Sequence, residues 1–177
     1  MGIGDWFRRG RSGGAMQEWR AAWNAALAAR DETAVARLRG LLDTGRKPDE
    51  DREVEEEMLE ALERFLELSR ELDAGRLPRV ETTHRVIGAD ICHFRAPASL
   101  PDDPAQPSGR VLFASTRALF VGGAKLTPLA WHAVREVGQS DRDLWLVRSA
   151  EDARRFRFNS FTDAICAAAL ARHLKNR

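Results

Sequence analysis

The chain has 177 residues, 28 Lys and Arg against 27 Asp and Glu, and a formal net charge of +1. That length builds one domain with an appendage or two small ones, around a core that needs no disulfide to stand. No apolar run approaches the roughly 20 residues of a membrane-spanning helix, so the chain is expected to be soluble.

Residues 1–14, MGIGDWFRRGRSGG, begin with Ile3, Trp6 and Phe7, continue with Arg8, Arg9 and Arg11, and end in a Ser-Gly-Gly spacer. Their glycine content argues against a stable helix and predicts a flexible basic and aromatic tail. An alternative reading makes it an interfacial anchor, with Trp6 and Phe7 at headgroup depth and the arginines against anionic lipid. Gly2 supplies no lipid anchor, because Trp6 stands where a myristoylation signal needs Ser or Thr.

From Ala15 to Thr44, Met16, Trp19, Trp23 and Leu27 recur at helical spacing, Arg30-Asp31-Glu32 interrupts, and Val35, Leu38 and Leu42 resume. Two helices joined near Asp31, capped by Asp31 or Thr33, fit this best; one bent helix is the alternative. Trp19 and Trp23 are expected in the core of the helical part, though a shared exposed face would serve for self-association. Gly45 to Pro48 signals a stop and turn. Val54, Met58, Leu62, Phe65 or Leu66, and Leu72 then mark a long amphipathic helix ending at Gly75. Near-neutrality hides a segregation here: Asp49 to Asp73 carries 12 acids and 3 bases, while residues 1–48 sum to +4 and residues 76–177 to +6. Asp49, Glu50, Asp51 and Glu53 meet the positive end of the helix dipole, and the acidic face reads as solvated surface.

A linker, Arg76-Leu77-Pro78-Arg79, separates the helical region, 15–75, from a β region. Strand one is predicted over Ala89–Phe94, with Ile91 and His93 on one face and Cys92 and Phe94 on the other. The loop Ala96–Ser108, with four prolines and Asp102-Asp103, is expected to be extended and exposed. Gly109 to Gly123, GRVLFASTRALFVGG, places two apolar strands either side of a tight Ser115-Thr116-Arg117 turn, a hairpin signature. Both faces of these strands are apolar, which predicts burial on each side, as in a small closed barrel. Later, Phe156 and Phe158 alternate with Arg155 and Arg157, the phenylalanines reading as core and the arginines as a basic outer face. Trp145 alternates with Leu144 and Leu146 and reads as packed; the alternatives are that it covers an edge or faces a partner. Ser160 with Asp163 has capping-box spacing, opening a last helix striped by Ile165, Cys166, Ala169, Leu170 and Leu174.

This order of elements, KLTPLAWHAVREV, DLWLVRS and ARRFRFN following the hairpin and ending in a capped helix, resembles the pleckstrin-homology-like barrel. Its GRAM-type and bacterial branches are the most similar, over about residues 84–175. The fold class expected is therefore α+β: two or three N-terminal helices, then an antiparallel barrel closed by a C-terminal helix. The resemblance implies a scaffold that binds and rarely does chemistry. Family members that grip phosphoinositides cluster Lys and Arg in the loop between strands one and two. Here that loop carries Asp102 and Asp103, with only Arg95 and Arg110 flanking it, which speaks against a headgroup pocket at that place.

No catalytic constellation is legible. His84 and His93 bracket Cys92 and His132 follows Trp131, but no metal-ligand spacing appears, and nucleophile-elbow and Walker motifs are missing. No cofactor is expected, and a lone strand histidine reads as a surface or satisfied core residue. Cys92 and Cys166 lie far apart and read as reduced, buried hydrophobes in a cytoplasm. Arginine far exceeds lysine, tyrosine is absent and alanine abundant, which fits GC-rich coding and a bacterial source. The expected function is a non-enzymatic adaptor that binds another protein. Peripheral membrane contact through Trp6, Phe7, Arg8, Arg9 and Arg11, at the inner face of the membrane, is the alternative. Nucleic acid ranks third, suggested by Arg154, Arg155 and Arg157 but opposed by the acidic helix.

Overall fold

A computed structural model describes the backbone of residues 4–44, 52–122 and 128–177, with side chains from residue 14 onward. The class is α+β: α1 (Gly4–Ala29), α2 (Ala34–Thr44) and α3 (Glu53–Asp73) precede a seven-stranded antiparallel sheet, and α4 (Phe161–Lys175) follows it. The stop signal Gly45 to Pro48, the acids Asp49 to Asp51, and Gly123 of the hairpin lie outside the described residues. The chain divides into two compact units, Met1–Leu66 and Glu67–Arg177, so the boundary falls inside α3.

In the first unit the two tryptophans are core. Trp19 and Trp23 are buried, and their indole N–H groups donate to the Leu38 carbonyl at 2.9 Å and the Met58 carbonyl at 2.7 Å. A buried indole needs such a partner, and these two tie α1 to α2 and to α3. That removes them as a self-association face. The joint between α1 and α2 is built by Asp31, whose carboxylate accepts from the Thr33 amide and hydroxyl. Two expectations change. The glycine-rich stretch after Gly4 is helical backbone within α1, although its glycines argue against it. Nor is the acidic face of α3 wholly solvated, because Glu55 is buried and takes Arg20 at 2.6 Å, whereas Val54 is exposed.

In the second unit, α3 ends as glycine at a C-terminal cap dictates. Gly75 adopts φ +72°, its amide reaches the Leu72 carbonyl, and the Arg76 amide reaches Glu71. The strands are β1 (Cys92–Ser99), β2 (Ser108–Ala114), β3 (Arg117–Val121), β4 (Leu129–Ala130), β5 (Glu136–Ser140), β6 (Asp143–Ser149) and β7 (Asp152–Phe158), ordered β4-β3-β2-β1-β7-β6-β5. Two meanders thus join where β1 pairs β7 at Ala98 and Ser99. The sheet is not closed: β4 and β5 end it, so a closed barrel is not what buries its faces.

One face, the inner, carries Phe94, Val111, Phe113, Phe120, Leu144, Leu146, Phe156 and Phe158, and packs with α4 and with Leu68 and Leu72 of α3. Ser160 caps α4 as its spacing predicts, its Oγ accepting from the Asp163 amide at 3.0 Å. The opposite, outer face of β2 and β3 is also buried, but by the chain that precedes β1. Ile87, with Val80 and Val86, covers Cys92, Leu112, Ala114 and Leu119.

Strand one is longer and less regular than the sequence suggests. Pro97 lies within β1, and the loop shrinks to Leu100–Pro107, folded on itself by the Leu100 amide to the Pro107 carbonyl and by Asp103. A register shift between Cys92 and Phe94 puts Cys92 in the outer cluster and Phe94 in the inner core, not on one face. An extra residue in one strand is what such a switch requires.

Candidate functional site

Two constellations of polar side chains sit on the outer face. The first holds down the segment before β1. His93 is buried, with Nδ1 at 2.7 Å from the Pro78 carbonyl and Nε2 at 2.8 Å from the Ser115 hydroxyl. A carbonyl only accepts, so Nδ1 carries the proton and, in the neutral ring, Nε2 accepts from Ser115. Asp90 takes the Thr116 hydroxyl at 2.6 Å, the Thr116 amide and the Ile91 amide. Burial opposes charge on Asp90, but the Thr116 and Ile91 donors hold its carboxyl below the ordinary value. Arg117 closes the group by donating to the carbonyls of Val86 and Ile87.

A serine hydrogen-bonded to a histidine has the outline of an activated nucleophile. Its surroundings do not suit acyl transfer. The Ser115 amide is spent on the Ile91 carbonyl, the Thr116 amide is spent on Asp90, and a carboxylate stands where an oxyanion would need donors. The group works as a clasp that fixes residues 78–91 to the hairpin turn.

The second constellation spans β5, β6 and β7, where Gly138, Trp145 and Arg155 stand directly opposite one another on successive strands. Trp145 is partly exposed, the Arg155 guanidinium lies 5.4 Å from its ring centroid, and Gly138 offers no side chain to the ring from β5. A Cβ on Gly138 would meet only Trp145, at 3.7 Å. Beside this row, Asp143 is buried and receives two hydrogen bonds from each of Arg155 and Arg157; Arg155 also reaches Asp102 at 3.4 Å. The hydrogen bond from Arg157 chiefly, then Arg155, outweighs burial and keeps the Asp143 carboxyl below its usual range.

The sequence places Arg155 and Arg157 correctly, outward and opposite Phe156 and Phe158. They do not make a bare basic face, because Asp143 and Asp102 compensate them. Trp6, Phe7, Arg8, Arg9 and Arg11 lie on the α1 backbone, with side chains outside those described. Sequence reasoning missed Asp143 and Gly138. The signal was there: Asp143 and Trp145 share one parity on β6, and antiparallel pairing brings that parity to Arg157 and Arg155.

Among the described residues no group of three or more His, Cys, Asp and Glu side chains is placed to hold a metal ion. Cys92 and Cys166 are buried, neither is in a disulfide, and burial pushes the Cys92 thiol up, away from the reactive thiolate. No described helix is long and apolar enough to cross a membrane. A scan of protein-family models finds none that matches the chain, and a search of curated proteins finds no match either.

Proposed function

We propose that this chain is a non-enzymatic, cytoplasmic adaptor that binds another protein on the outer face of β5–β7. One observation carries the reading. In the row Gly138, Trp145, Arg155, a partly exposed indole meets a guanidinium from β7, while glycine offers it no side chain from β5. Tryptophan and arginine held rigid on a scaffold are the residue types that dominate protein interfaces, since little conformational entropy is lost when they are covered. Asp143 serves this site by orienting Arg155 and Arg157 and, together with Asp102, by offsetting their charge, which disfavours phosphate ligands such as nucleic acid. The antiparallel meander with its C-terminal helix against the inner face supports a pleckstrin-homology-like scaffold. The test is Gly138→Leu, whose Cβ would meet only Trp145, in ordinary van der Waals contact. Partner retention in co-purification should fall about tenfold or more with an unchanged melting temperature. Full retention would refute the site.

A second reading has one observation in its favour. The backbone that carries Trp6, Phe7, Arg8, Arg9 and Arg11 is helical, the form an interfacial anchor takes. Flotation with anionic liposomes, lost on Trp6→Ala with Phe7→Ala, is the result that reading requires.

A further inference from the structure

We propose that residues 81–90 form a lid over the outer face of β2 and β3, which swings open about its two ends while the sheet stays folded and so controls access to Cys92 and the apolar face beneath. The observations behind it are separate from those at the Trp145 face.

The loop is closed at its base. The Val80 amide donates to the Cys92 carbonyl at 2.9 Å, buried His93 holds the Pro78 carbonyl, and the Ser115 amide holds the Ile91 carbonyl at 3.0 Å. Between these anchors lies a compact loop with adjoining ends, a form often used as a functional surface loop. Its main-chain amide bonds are its own. His84 donates to the Thr82 hydroxyl, Ile87 to His84, Gly88 to Arg85 and Asp90 to Ile87, around one 3₁₀ turn at Arg85–Ile87. None of these has to break for the loop to move as a body.

Its fastening to the sheet is slight and made by side chains. Ile87 is the only buried residue among 81–90, and with Val86 beside it covers Cys92, Leu112, Ala114 and Leu119. Asp90, at one end of the loop, takes the Thr116 hydroxyl and amide. Arg117 offers one nitrogen to two carbonyls, at 3.2 Å to Val86, the upper end of the usual range, and at 3.5 Å to Ile87, beyond it. Its Nε is buried and makes no hydrogen bond among the described residues, a cost of closure that water relieves on opening. Gly88 sits at φ +65° and ψ −131°, a conformation that the closed loop demands and that a residue with a side chain resists. Few buried apolar contacts place this loop among segments that open well before a domain unfolds.

Cys92 reports the opening, because its thiol is buried in the covered cluster and donates to the Phe94 carbonyl at 3.2 Å. The test is thiol labelling of Cys92 in the full chain, read by mass spectrometry beside hydrogen exchange of the β2 amides. The open fraction reported by Cys92 should exceed the unfolded fraction reported by the slowest β2 amides by about a hundredfold or more. It should change little in dilute urea, since a lid exposes little surface. Gly88→Ala strains the closed loop alone, because a Cβ there meets nothing within 4 Å, and should speed Cys92 labelling about tenfold. Ser160→Ala, at the cap of α4, should speed exchange of the β2 amides about fivefold and leave Cys92 labelling unchanged. A Cys92 that reacts only as the sheet unfolds, that ignores Gly88→Ala, or that accelerates with Ser160→Ala as the β2 amides do would each overturn the proposal.

Discussion

At Gly109 the absence of a side chain is a packing requirement. A Cβ there would stand 2.3 Å from the Val121 carbonyl oxygen and 2.8 Å from the Gly122 Cα, both backbone atoms that cannot step aside. Gly109→Ala should cost about 1–3 kcal/mol in urea denaturation, by spreading β2 from β3. Asp143 gives a second expectation, with a direction in pH. Its folded carboxyl lies below the ordinary value of about 3.9, so its contribution is complete above about pH 4 and fades as pH falls through the folded value. Asp143→Asn should be less stable by about 1–2 kcal/mol at pH 7, since Arg157 is half exposed and solvent screens part of the pair. The gap should narrow in acid melts as pH falls through the folded value. A gap unchanged in acid would mean that the carboxylate charge is not what holds the two arginines.

Among the elements, those whose residues face one way were legible and those with an interruption were not. Phe156 and Phe158 against Arg155 and Arg157 read correctly because β7 alternates without a break over those four residues. β1 did not, because Pro97 argued for a loop and the shift between Cys92 and Phe94 breaks the alternation. Two-sided burial of β2 and β3 was legible from Leu112 and Leu119, but its cause was not. The covering segment, residues 80–91, has no regular period and is held by the side chains of His93, Asp90 and Arg117. Capping is local and so was readable: Ser160 and Asp163 are three residues apart, and no tertiary contact is needed to infer their bond. Ser160→Ala should lower stability by about 1 kcal/mol in thermal melts, with Ser160→Asp restoring most of it. A neutral Ser160→Ala would show that packing of α4 against the sheet, not its cap, sets where the helix starts.

For the whole molecule, function was less legible than fold, because the site is made across strands. Gly138, Trp145 and Arg155 lie seven and ten residues apart in sequence and become neighbours only through pairing of β5 with β6 and of β6 with β7. Taken singly, each has an unremarkable reading: a turn glycine, a packed tryptophan, a surface arginine. Together they form a surface whose charge is balanced by Asp143 and Asp102, a combination suited to protein more than to phosphate. The most direct test of protein binding at this face is a photo-crosslinking amino acid at position 145 of the full-length protein in its own cells. A control probe goes at exposed Ala153, on the next strand. A discrete adduct with one other protein, formed from 145 and lost with Gly138→Leu, is the expected result. No adduct with another protein from position 145, under conditions where the control probe is active, would contradict the account.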